Sequence, residues 1–86
     1  MTQRKVHCSK LNTEANGLTI APYPGGLGQC IFNHVSAEAW HAWQEMEIKL
    51  INELKLDVTD EASTKILDDK CIEFLNLADK LPANYL

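Results

Sequence analysis

The run from Ser36 to Leu56, SAEAWHAWQEMEIKLINELKL, limits what this chain can become more than any other stretch. Ala39, Trp40, Trp43, Met46, Leu50, Ile51 and Leu54 recur at steps of three and four, which places them on one side of an α-helix of about five turns. Ser36 is a suitable N-cap, Glu38 meets the positive first turn, and Glu45 and Lys49 form a helix pair in the favourable order. Little else in 86 residues can seed a core, so Trp40, Trp43, Leu50, Ile51 and Leu54 are expected in it.

At this length the chain is expected to form one domain that buries roughly 60–65% of the surface it exposes when unfolded. Eight basic against twelve acidic residues give a net charge of −4, and no predicted helix bears a basic patch, so nucleic acid and anionic membranes are not expected partners. No apolar run approaches the ~20 residues of a spanning helix, and no apolar run follows the basic N-terminus. A cytoplasmic, monomeric protein is expected. Cys8, Cys30 and Cys71 are odd in number and outside any C-x-x-C, which reads as thiols in a reducing compartment.

In chain order, Lys5 to Leu11 alternates, with Val6 and Cys8 on one face, and Leu18 to Ile20 alternates again before Pro22. With Asn16-Gly17 as the turn, this predicts a two-stranded antiparallel ribbon over 5–21, Leu18 and Ile20 facing the core. Pro22 to Gly26 is a loop. Leu27, Cys30, Ile31, His34 and Val35 keep helical spacing, predicting a helix over 26–35 that abuts the long helix at Ser36. After Leu56, Thr59 or Asp60 caps a third helix, expected over 60–79 and packed antiparallel on the second. Its stripe includes Ala62, Ile66, Leu67, Cys71, Phe74 and Ala78, with Pro82 as the stop and 81–86 as a tail. The fold class is α+β, a small ribbon on three helices.

Candidate chemistry is sparse. His7 and Cys8 are strand neighbours and point to opposite faces, so one ion cannot easily take both. Cys30 and His34 share a helix face, yet two ligands do not make a site, and thiolate with imidazole suits zinc better than a labile ferrous ion. Gly25, Gly26 and Gly28 precede a helix but lack the G-K-[ST] of a P-loop, so a structural turn is expected. A strand-borne Cys8 has no helix N-terminus of its own to lower its pKa, and shares the inward face of Val6. No Ser–His–Asp or Cys–His–Asn set can be placed, so no enzyme is expected.

Taken together, Cys8, Glu14-Ala15, Gly17-Leu18, the loop Pro22-Tyr23-Pro24-Gly25, Leu27-Gly28, Ile31, Ser36, Ala39-Trp40, Trp43 and the run Leu50-Ile51-Asn52-Glu53 resemble the bacterial probable Fe(2+)-trafficking protein family. The resemblance covers about Val6 to Leu75. It departs at Cys30, where the family usually has arginine, at Glu47, usually glutamine, and at Asn76, usually phenylalanine.

The resemblance implies a ribbon-plus-three-helix fold and a role in protecting iron–sulfur enzymes from oxidation, with Cys8 as the sensitive thiol. It also implies weak or transient binding of Fe(2+), with iron–sulfur enzymes or their assembly proteins as partners. Iron held in transit calls for oxygen or nitrogen donors, and the carboxylates Glu45, Glu47, Asp57, Asp60, Glu61, Asp68 and Asp69 on the two long helices are the candidates. The alternative is a metal-free module that docks on client enzymes.

Overall fold

In the computed structural model, which describes residues 4–81, a two-stranded antiparallel ribbon is followed by three helices. The elements are β1 (Lys5–Cys8), β2 (Thr13–Asn16), α1 (Gly25–His34), α2 (Ala37–Leu54) and α3 (Glu61–Phe74). The α+β order matches the expectation. Pro82 and the expected tail beyond it lie outside the described residues.

The ribbon is shorter than its hydrophobic alternation suggested, and its turn is elsewhere. Lys5 pairs with Asn16, Val6 with Ala15, His7 with Glu14 and Cys8 with Thr13, so the chain reverses through Ser9 to Asn12. Asn12 takes the left-handed conformation (φ 54°), which asparagine tolerates better than most residues, and its N–H donates to the Cys8 carbonyl at 2.7 Å. Asn16-Gly17 instead ends the ribbon, and Gly17 bridges to Ser36. A Cβ there would stand 3.1 Å from Val6 Cγ1. Leu18 packs on the core as expected, but Ile20 is 75% exposed, because the chain has already left the sheet.

Helix α1 begins against its own loop. A Cβ on Gly28 would lie 1.8 Å from the Tyr23 carbonyl oxygen, so only glycine lets the first turn settle there. Its inward face then supplies Leu27, Cys30 and Ile31 to the core. Ser36 caps α2 as the sequence implies, its hydroxyl oxygen accepting from the Ala39 N–H at 3.1 Å. Asp60 caps α3 in the same way, accepting from the Ser63 N–H at 3.1 Å.

Helix α3 stops at Phe74, short of the expected end. Asn76 is left-handed (φ 57°), the Leu77 N–H donates to the Ile72 carbonyl at 2.9 Å and that of Asn76 to Glu73 at 3.3 Å. This is a Schellman closure with asparagine in the position usually given to glycine, and the following Leu77 is fully buried beneath it. The Ser9 hydroxyl donates to the Leu75 carbonyl at 2.6 Å and the Asn76 amide to the Ser9 carbonyl at 3.3 Å, tying the ribbon turn to the end of α3.

The core is built from Cys8, Ile31, Val35, Ala39, Trp43, Cys71, Ile72, Leu75 and Leu77, with Leu67 also buried and Trp40, Met46, Leu50 and Phe74 partly buried against it. The Trp43 and Phe74 rings meet at 5.8 Å between centroids, as an antiparallel α2–α3 pairing requires. Ile51 is half-buried, whereas Leu54 (51% exposed) and Ile66 (40%) are not core residues, contrary to their place on the stripes. Both buried residues of α2 lie in its first two turns. Beyond them Met46, Leu50 and Ile51 are only half-buried, because the stripe is wider than the surface packed against it. Ala62 and Ala78 are exposed for related reasons: Ser63 takes the inward place at the start of α3, and the helix is over before Ala78.

Gly28→Ala is expected to lower stability by about 2 kcal/mol or more, since the carbonyl it meets is backbone and cannot swing aside. Urea denaturation checks this, and a midpoint equal to wild type would refute the close-approach account.

Candidate functional site

Cys8 ends β1 on the inward face and is fully buried. Its sulfur accepts from the Ser36 N–H at 3.4 Å, at the N-terminus of the 18-residue helix α2. Burial pushes the thiol up, but the Ser36 hydroxyl and N–H, then the N–H groups of Leu11 and Lys10, outweigh it and leave the pKa below its ordinary value. A strand-borne thiol thus obtains a helix N-terminus from a different element, which local sequence could not show. The neighbouring cations add no charge to it directly. Lys10 Nζ sits 4.0 Å over the Phe74 ring, and the His7 ring lies on the outer face, 3.3 Å from Asn12 Oδ1.

The expected carboxylates do not converge. Asp57 Oδ1 accepts from the Thr59 N–H (2.9 Å) and hydroxyl (2.6 Å), bonds that hold its pKa below the usual range, and Asp60 is occupied as the α3 cap. Glu61 is exposed in the first turn of α3. Glu45 is exposed on the outer face of α2, where its Oε1 lies 3.6 Å from His41 Nε2. Among the described residues, no three His, Cys, Asp or Glu side chains gather as a metal site. His41 was not singled out in the sequence, although its i,i+4 spacing to Glu45 was there to be read.

Glu47 behaves differently. It is half-buried, and its pKa is raised by burial and then by Asp68 on α3. Asp68 is itself raised, by burial first and then by Asp69, while Lys65 pulls the other way. Glu47 and Asp68 share a cavity of about 470 Å³ with Tyr23, Pro24, Leu27 and Leu67. Tyr23 is pushed up to about 12 by burial and by the negative groups around it, Glu47, Cys71 and Asp68.

Cys30 and His34 do come to one cavity, of about 340 Å³, beside Lys80. The Cys30 thiol donates to the Lys80 carbonyl at 3.3 Å, and burial pushes its pKa up while it pushes that of His34 down. The neutral thiol is therefore favoured, which suits packing better than metal binding. The Gly25–Gly28 turn presses on the Tyr23 carbonyl, and a carbonyl oxygen at that point is the wrong partner for an anion. All three cysteines are free.

The model of the family described as bacterial Fe(2+) trafficking matches residues 1–86. The chain belongs to this family. Among its curated relatives is a probable Fe(2+)-trafficking protein of Coxiella burnetii, 41% identical over 83 residues, 95% of this chain and 92% of the relative. Proteins of the same description from Dechloromonas aromatica (49% over 67 residues, 78% of this chain and 74% of the relative) and Halorhodospira halophila (45% over 71 residues, 83% and 79%) are also similar. Asn76 stands at the one left-handed position of the α3 terminus, where asparagine is tolerated better than most residues. No described helix is long and apolar enough to cross a membrane.

Two measurements probe these environments. Iodoacetamide should alkylate Cys8 more slowly in the folded protein than in urea, burial outweighing the lowered pKa; equal rates by mass spectrometry would contradict the buried thiol. Because the Glu47 pKa is raised on folding, its favourable contribution exists below the unfolded value and is lost as pH rises through the folded one. Glu47→Gln should therefore stabilise the protein at pH 7, by on the order of half a kcal/mol after solvent screening, and leave it unchanged near pH 3. Denaturant midpoints at the two pH values check the sign.

Proposed function

We propose that this protein handles ferrous iron in transit in the cytoplasm and protects iron–sulfur enzymes from oxidative damage, without catalysing a reaction of its own. The supporting observation is membership of a family described by Fe(2+) trafficking along the whole chain. Its curated relatives have the same description. Iron is cargo in this reading, so it must be released as readily as it is taken up. A closed set of protein ligands would oppose release, whereas an exposed nitrogen–oxygen pair with water in the remaining positions suits a labile ferrous ion. His41 and Glu45, 3.6 Å apart on the outer face of α2, are such a pair.

Cys8 has a different part in this reading. Its burial keeps it away from free iron and peroxide, and the Ser36 hydroxyl and N–H favour its thiolate while the ribbon lies on the start of α2. Loss of the thiol is then a loss of the ribbon–α2 junction as well as of a reactive group. A second reading, a module that docks on client enzymes without metal, is favoured by the unfilled cavity between the Tyr23 loop, α2 and α3.

An anaerobic ferrous titration followed by calorimetry should give saturable heat that weakens about tenfold in the His41→Ala, Glu45→Gln double variant. No heat in the wild type would sink the iron reading, and an unchanged affinity in the variant would remove the pair from it.

A further inference from the structure

The Tyr23–Glu47–Asp68 cavity serves neither the fold nor the iron pair. Its floor is Leu27 and Leu67, both buried, and Val58, 61% exposed, stands at its rim. Glu47 and Asp68 look into this largely apolar space, and no described lysine or arginine forms an ion pair with either. Lys65, the near cation, turns instead to Asp69 at 3.4 Å. Trp43, 1% exposed, has its indole Nε1 buried without a hydrogen-bond partner among the described residues. That N–H faces the Tyr23 hydroxyl on the cavity wall without closing to hydrogen-bond geometry. Two half-buried carboxylates without a cation, set among apolar walls, describe a space shaped for an occupant.

The occupant must be cationic and must also present apolar surface. A metal ion meets only the first demand: no third ligand gathers among the described residues, and the walls of a 470 Å³ cavity would stay unsatisfied. A lysine ammonium is a compact, strongly hydrated point charge and loses more water on entry. A guanidinium is planar and weakly hydrated, donates to two carboxylates at once and stacks on aromatic rings. Its stem packs on aliphatic side chains. Tyr23 and Trp40 are packed edge to face at 5.7 Å, so the aromatic wall is already fixed. The chain's net charge of −4 favours approach of a basic segment.

We propose that this cavity is a docking site for an arginine side chain presented by a partner protein, its guanidinium held between Glu47 and Asp68 and its stem laid on Leu27, Leu67 and Val58. The inference is independent of iron binding at His41 and Glu45.

The test is an NMR titration of the ¹⁵N-labelled full chain with the pentapeptide acetyl-Ala-Leu-Arg-Leu-Ala-amide and with its citrulline counterpart, which has the same shape without the charge. The arginine peptide should give saturating shifts at Tyr23, Glu47 and Asp68 and at the Trp43 indole N–H. The citrulline peptide should bind about tenfold more weakly, as should the arginine peptide to the Glu47→Gln, Asp68→Asn double variant. That variant keeps the side-chain shapes and removes a repulsion, so its fold is not at risk. Asp69→Asn, which removes one charge of the same helix outside the cavity, should leave the affinity unaltered.

Equal binding of the two peptides would overturn the proposal in favour of a merely apolar pocket. Unsaturated shifts spread over Glu45, Glu53 and Glu61 would overturn it in favour of general attraction. Displacement of the peptide by ferrous ion, with saturation at the same resonances, would make the cavity a metal site instead.

Discussion

The bond from the Ser36 N–H to the Cys8 sulfur is the contact on which the rest of the arrangement depends. Ser36 is fully buried and does three things at once: it caps α2, bridges to Gly17 at the end of the ribbon, and meets the thiol. The Ser9 N–H donates to the His34 carbonyl at 2.8 Å, so the α1–α2 junction is fastened to the ribbon on both sides of Val35. A two-stranded ribbon this short is marginal alone. Here its inward residues, Val6 and Cys8, are covered by the start of the longest helix, and the N–H groups that α2 leaves unpaired find acceptors in Ser36 and Cys8.

That arrangement gives the thiol a mixed character. Desolvation disfavours the thiolate, and the Ser36 hydroxyl together with the N–H groups of Ser36, Leu11 and Lys10 favours it by more. Such a group is chemically prepared but sterically withheld, and what it meets is decided by how often the ribbon opens. Cys71, also buried and near Asp68 and Glu47, goes the other way and is pushed up to about 12 by burial and those carboxylates, so the same residue type is inert there. The difference lies in which backbone groups face each sulfur.

The helical part was largely legible because its signals are local. The caps Ser36 and Asp60 and the spacing of Ala39, Trp43, Leu67 and Cys71 put α2 and the start of α3 where they are found. The ribbon and its first strand, with Val6 and Cys8 inward, were legible too, but the second strand was placed too late because T-E-A-N has no apolar alternation. The end of α3 was missed because Leu75 and Ala78 continue the helical spacing, while Asn76 adopts a left-handed conformation that no periodicity reports. Of the candidate site, the sequence offered Glu47 and Asp68 as two of seven carboxylates; their coupling and their place beside Tyr23 depend on where α3 crosses α2.

The amino-acid sequence by itself determined the fold class, the family and the seed of the core, since capping, helical period and the order of the conserved-type landmarks are properties of neighbours along the chain. Tertiary structure alone decided that Cys8 is enclosed beneath the N-terminus of α2, that Leu54 and Ile66 face outward, and that Glu47, Asp68 and Tyr23 share one cavity. Those outcomes depend on distances between segments far apart in the chain. Burial, electrostatic coupling and exposed apolar area exist only after the segments have packed.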